Sequence, residues 1–165
     1  MDRLLKVKTR DAFNRGQGYI VPVYSCRHLS KGSDRLPALS GVASRMQTVV
    51  KTDYIAGLWE NDLLEDLTWF TFNVSGVSTI QYSAPSFSWA SIKGRVDYDL
   101  RKREKSVSKI TILDVSVSRA GLDPFGKLID GYIRLRGRLA PAWIECHHDG
   151  QDTTYKIVHK KLRFL

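Results

Sequence analysis

Ser86-Phe87-Ser88-Trp89-Ala90-Ser91-Ile92 alternates small polar residues with large apolar ones, and Lys93-Gly94 then leads into Arg95-Val96-Asp97-Tyr98-Asp99-Leu100. A period of two sends successive side chains to opposite faces of an extended chain. Residues 86–92 therefore read as a half-buried strand, turned through Lys93-Gly94 into a hairpin partner at 95–100. This stretch decides the fold class because the spacing of apolar residues changes across it. Upstream they recur at helical intervals, and downstream they alternate.

On the upstream side, Leu36, Leu39, Ala43 and Met46 make a helical stripe behind the capping candidates Ser33 and Asp34, with Pro37 suited to the first turn. Arg35 and Arg45 lie off the stripe, and Gly41 weakens the helix by roughly 1 kcal/mol relative to Ala. A second helix is expected over 61–70. Asn61 or Asp62 would cap it, and Leu63, Leu64, Leu67 and Phe70 supply its apolar face. Val49, Val50, Tyr54 and Ile55 ahead of it suit a short extended piece. Trp59, Trp69 and Trp89 read as the apolar floor between helix and sheet.

On the downstream side, Ile110, Ile112, Val115 and Val117 mark a long strand with a bulge near Leu113-Asp114. Gly121-Leu122-Asp123-Pro124-Phe125-Gly126 is a turn-rich loop. Tyr132 to Leu139 alternates again, and residues 142–146 and 153–164 complete the strands. The fold class is thus α+β: two N-terminal helices followed by an antiparallel sheet of five to six short strands, as a partial barrel or sandwich. Residues 1–20 form an irregular basic lead-in, and 21–165 a single domain. So loose an opening predicts that natural sequence is missing upstream and that the chain is a fragment.

The 165 residues suffice for one self-supporting core. No stretch approaches the ~18 apolar residues of a membrane span, and Met1 to Lys8 lacks the apolar region of a secretory signal. Cys26 and Cys146 are then expected as free thiols in a reducing compartment, cytoplasmic or nuclear. The net charge of +9 is uneven: residues 1–52 carry ten Lys/Arg against three Asp/Glu, 53–92 no basic residue and five acids, and 93–165 sixteen against nine. Such a balance suits an acidic partner or a nucleic acid.

Motifs that carry chemistry are weak. Gly16-Gln17-Gly18 lacks the remaining glycines of a phosphate loop, and no Gly-x-Ser-x-Gly elbow occurs. Zinc requires four N/S donors, and Cys146-His147-His148 would need Cys26, His28 or His159 to complete them. Adjacent strand residues face opposite ways, so no metal site is expected. Ser83, Ser86, Ser88 and Ser91 have no histidine near in sequence to activate them. Asp97 and Asp99 share a strand face as a general acid/base pair would, but read better as solvated carboxylates beside Arg95 and Arg101. The sharpest charge feature is Arg134, Arg136 and Arg138, which period two places on one face as a possible anionic-partner patch. Lys156, Lys160 and Lys161 would widen it. Tyr132 and Trp143 flank these arginines rather than interleave with them, which disfavours single-stranded nucleic acid.

The chain also carries a series of ordered blocks: Tyr24-Ser25-Cys26-Arg27-His28-Leu29, Ser33 to Ala43, Tyr54-Ile55-Ala56-Gly57-Leu58-Trp59-Glu60-Asn61-Asp62-Leu63, Leu67-Thr68-Trp69, Tyr82 to Ser91, Asp123-Pro124-Phe125-Gly126 and Gly131 to Gly137. Over about residues 20–140 the set resembles the region downstream of the HET domain in fungal heterokaryon-incompatibility proteins. It departs from that pattern at Phe87, where the family has Trp, and at Thr68, where it has an apolar residue. The resemblance implies Gly57, Leu58, Trp59, Pro85, Ser86, Trp89, Asp123, Pro124, Phe125 and Gly126 as structural motif residues. It implies a role by association in non-self recognition and programmed cell death, with no catalytic residue and no cofactor in the matched region. The HET domain itself is not in the sequence. The expectation is a non-catalytic accessory module whose partner is a HET-type effector domain in cis or another protein. A small basic nucleic-acid-binding β module ranks second and a hydrolase third.

Overall fold

The computed structural model describes residues 20–27, 29, 31–71, 82–98 and 109–138, and the backbone of 143–149 and 152–158. The chain is α+β. Residues 20–25 are helical (α1). Two 3-10 turns, Gly32–Asp34 and Pro37–Leu39, lead into α2 (Ser40–Val50). A two-residue hairpin, β1 (Tyr54–Ile55) and β2 (Leu58–Trp59), is followed by a 3-10 turn Glu60–Asp62 and the single helical turn α3 (Leu63–Asp66). A 3-10 turn Trp89–Ser91 precedes β3 (Thr111–Arg119), β4 (Leu128–Arg136), β5 (Trp143–Asp149) and β6 (Asp152–Val158).

Both expected helices exist in shortened form. Neither Ser33 nor Asp34 caps the backbone; Ser33 Oγ donates instead to Asp34 Oδ1. Without that cap the first segment winds as 3-10 turns, and the α-helix proper begins at Ser40. It runs through Val49 and Val50, which were expected to be extended, and stops where Lys51 adopts φ 53° and donates its N–H to the Gln47 carbonyl. The stripe holds: Leu36 and Ala43 are buried, and Leu39 and Met46 half-buried. Arg35, expected off the stripe, is buried at 7% exposure. The second helix is cut to one turn because Asp66 turns its carboxylate back to accept the Trp59 N–H at 3.0 Å.

Residues 86–92 are not a strand. Ser88, Trp89 and Ala90 are all within 1% of full burial, so consecutive side chains face the interior and the alternation carries no facing information. The Ser88 hydroxyl accepts the Ala90 N–H at 3.0 Å, winding the chain into a 3-10 turn. The hairpin through Lys93-Gly94 is likewise absent. Asp97 makes an isolated antiparallel bridge with Phe70. Asp99 lies outside the described residues.

The later strands match their periodicity more closely. β3 pairs antiparallel with β4, and the register skips a residue between Ile112 and Asp114, the expected bulge. A second skip falls between Ser118 and Arg119. β4 starts at Leu128, four residues before the expected Tyr132. β5 and β6 pair from Trp143–Val158 to Asp149–Asp152. Among the described residues the strands pair only two by two, as β1–β2, β3–β4 and β5–β6, and do not join into one sheet of five to six.

The core gathers Leu36, Leu58, Leu63, Trp89 and Val96, each no more than 2% exposed. Fully burying an aliphatic side chain of this kind contributes ~1.5–3 kcal/mol. Ile112, Val115, Val117 and Ile133 lay the inner face of β3–β4 against it. A second cluster joins Ala43 of α2 to Tyr54, Trp59 and Phe125.

Candidate functional site

A close-packed junction is built on the turn between β1 and β2. Ala56 and Gly57 have φ 52° and 93°, the sign pair of a type I′ turn. Gly suits the second position, but Ala in the left-handed region costs ~1–2 kcal/mol. Both turn carbonyls are held from across the fold: Ser88 Oγ donates to the Ala56 oxygen at 2.6 Å, and Trp89 Nε1 donates to the Gly57 oxygen at 2.9 Å. Trp89 also meets the edge of Tyr24 at 6.1 Å between ring centroids. A side chain on Gly57 would place its Cβ 2.7 Å from Trp89 Nε1, so only glycine lets the indole approach.

The other motif residues extend this junction. Leu58 and Trp59 are buried beside it. Pro85 is buried, and its carbonyl accepts the Ser88 N–H at 2.9 Å. Gly131 of β4 packs so closely under Pro85 that a Cβ there would lie 2.6 Å from the proline Cγ. Ser86 is exposed and takes no part. In the loop before β4, Asp123 Oδ1 accepts the Phe125 N–H at 2.9 Å and the Asp123 carbonyl accepts the Gly126 N–H at 3.1 Å. That turn, with Arg119 Nε donating to the Pro124 oxygen at 2.9 Å, sets Phe125 5.6 Å from the Tyr54 ring. Of the two departures from the family pattern, Phe87 is half-buried and Thr68 is exposed, with its hydroxyl on the Glu65 carbonyl.

Serine hydroxyls in this region serve the backbone. Ser83 Oγ donates to the Ala90 oxygen at 3.0 Å and Ser91 Oγ to the Ser88 oxygen at 2.7 Å. Ser25 Oγ donates to the Pro22 oxygen and accepts the Val96 N–H, and Arg35 donates to the Ser25 carbonyl. Burial pulls the Arg35 guanidinium below its usual range, opposed by nearby Tyr24. Burial, with the Asp66 carboxylate nearby, pushes the Tyr54 hydroxyl far above the usual tyrosine range. The sequence offered no signal for buried Ser25, Arg35 or Asp66.

Of the candidate acid pair only Asp97 is among the described residues. Asp97 accepts Arg95 Nε at 2.7 Å, and this bond raises the arginine further. Among the described residues no group of three His, Cys, Asp or Glu is placed to hold a metal. Cys26 is exposed and free, with its thiol on the Pro22 carbonyl. His28 and His159 lie outside the described residues, and Cys146, His147 and His148 are described only as β5 backbone. No helix among the described residues is long and apolar enough to cross a membrane.

The arginine row falls on β4. Arg134 stands opposite Asp114 and Arg136 opposite Thr111, two residues apart on one strand, and Arg138 follows just beyond the strand end. All three are exposed. Tyr132, next in the same row, donates its hydroxyl to Asp114 Oδ2 at 2.7 Å, and the Arg134 guanidinium lies over its ring, 6.0 Å from the centroid. The bond to Asp114 raises the Tyr132 pKa. Lys156 is on β6, and Lys160 and Lys161 lie outside the described residues. No family model, curated protein or solved structure matches this chain.

Proposed function

We propose that the chain is a non-catalytic accessory module of a HET-type protein, and that it supports or regulates an effector domain. The observation that carries this reading is what the motif residues do. The blocks that resemble the HET-protein region converge on one junction, where Ser88, Trp89, Gly57 and Pro85 spend their polar groups and contact surface on packing. A scaffold motif has this character: its hydroxyls and indole nitrogens bind backbone carbonyls instead of facing a cleft. Supporting it further, the Asp97 carboxylate is engaged by Arg95 and the Ser83, Ser88 and Ser91 hydroxyls by backbone carbonyls. The module works in the cytoplasm or nucleus.

The test is expression in a filamentous fungus of a HET-type effector domain alone, this chain alone, and the two as a fusion. The chain alone should leave growth unchanged, while the fusion should shift the dose of effector that arrests growth. Growth arrest by the chain alone, or an identical dose response with and without it, would refute the reading.

A further inference from the structure

We infer that the outer face of β4 is a docking surface for an extended, acidic segment of a partner protein, with Arg136 and Arg138 as its charge contacts. This deepens the accessory-module reading, on which it rests for the existence of a protein partner. Three observations carry it.

The first is uncompensated charge. The register sets Arg134 against Asp114, but that carboxylate already accepts the Tyr132 hydroxyl, and Arg136 faces the neutral Thr111. Among the described residues the ion pair is Arg95–Asp97, and no described carboxylate pairs with Arg136 or Arg138. Like charges two residues apart on one strand repel, and nothing within the described fold offsets them.

The second is the free edge. Among the described residues β4 pairs with β3 alone, and no described strand lies along its other side, the side to which a strand would add. Gly131 at the start of that run already turns its N–H to the Asp130 carboxylate at 2.8 Å, which confines an incoming strand to the arginine-bearing half. An extended segment with carboxylates at every second residue repeats at about 6.7 Å, the spacing of the arginines it would meet. Each guanidinium fork matches a carboxylate bidentately.

The third observation selects among occupants. A second copy of this chain adding antiparallel across the arginine-bearing half of β4, centred on Leu135, would set Arg134 against Arg136. Single-stranded nucleic acid needs an open aromatic platform, yet the Tyr132 ring is covered by Arg134 and its hydroxyl is held by Asp114. Carboxylates need only the forks.

The experiment measures fluorescence anisotropy of a labelled nonapeptide alternating glutamate and threonine, titrated with the purified full chain. The same titration is run with a peptide alternating lysine and threonine and with a short single-stranded RNA. The glutamate peptide should bind, and Arg136→Glu/Arg138→Glu should weaken it at least tenfold with unchanged thermal melting. Arg45→Glu, a charge reversal on the exposed side of α2, should leave it unaltered. The lysine peptide should bind the reversed variant better than the parent, a gain that loss of fold cannot produce. No binding of the glutamate peptide up to about 1 mM chain at about 50 mM salt would overturn the proposal. So would equal weakening by Arg45→Glu, or tighter binding of the RNA. Because the growth assay above does not depend on this peptide, such a failure would leave the accessory reading standing.

Discussion

Replacing Gly57 by Ala tests the junction between the β1–β2 turn and Trp89 directly. The added Cβ would stand 2.7 Å from Trp89 Nε1 and 3.1 Å from both Trp89 Cε2 and Leu36 Cδ2, at a backbone φ of +93°. Three costs combine. The left-handed backbone costs ~1–2 kcal/mol for a residue with a Cβ. Forcing a methyl into a filled core costs ~1–3 kcal/mol. If the indole retreats, its buried N–H and the Gly57 carbonyl part, at ~1–3 kcal/mol. Since relaxation trades the second cost against the third, the expected total is about 2–5 kcal/mol. With a urea m-value of ~2 kcal/mol/M, the midpoint falls by roughly 1–2.5 M. Urea denaturation followed by tryptophan fluorescence reads this shift. A double-mutant cycle with Trp89→Phe separates clash from strain. Phe lacks the ring atoms that meet the new Cβ most closely, so Gly57→Ala should cost at least ~1 kcal/mol less on that background. A midpoint shift below about 0.5 M, or equal costs on both backgrounds, would refute the packing argument.

Two further perturbations follow from the same region. Ser88→Ala strips the donor from the Ala56 oxygen and the acceptor from the Ala90 N–H, and should destabilise by ~2 kcal/mol in the same urea assay; a loss under ~0.5 kcal/mol would show that these groups find other partners. Burial and the nearby Asp66 raise the Tyr54 pKa above its unfolded value of 10.0. The neutral hydroxyl is therefore favoured in the folded state, its stabilisation is intact below pH 10, and it is lost as pH rises beyond that, by up to ~1.4 kcal/mol per pH unit. Urea midpoints at pH 9 and pH 11 should show this alkaline loss, and Tyr54→Phe should reduce it; an equal loss in the variant would assign it to other groups.

How much of this was legible beforehand differs by segment. β3 and β4 were readable, down to the bulge at Leu113, because nine-residue strands repeat a period-two pattern often enough to outweigh accidents. The Asp123-Pro124-Phe125-Gly126 turn was readable because its chemistry is local: Asp123 bonds a neighbour two residues on. Residues 86–92 show the opposite case. Their alternation is real, but Ser88 sits in the interior and not on a solvated face. Helix lengths were overestimated for a related reason, since Asp66 and Ser33 spend their side chains elsewhere than at helix ends. For the site, the arginine row lay in plain view on β4, while the state of each charge depended on which residue β3 set opposite it.

By itself the sequence determined the α+β character and the positions of the β3–β4 and β5–β6 hairpins. These rest on interactions between residues close in the chain, where periodicity and turn chemistry apply. The tertiary structure decided the course of residues 86–92, the burial of Arg35 and the pairing of strands two by two. Ser88 and Trp89 meet the Ala56 and Gly57 carbonyls across thirty-two residues. A hydroxyl or indole N–H is equally content with water, a neighbour or a distant carbonyl, so only the packed core selects which one it meets.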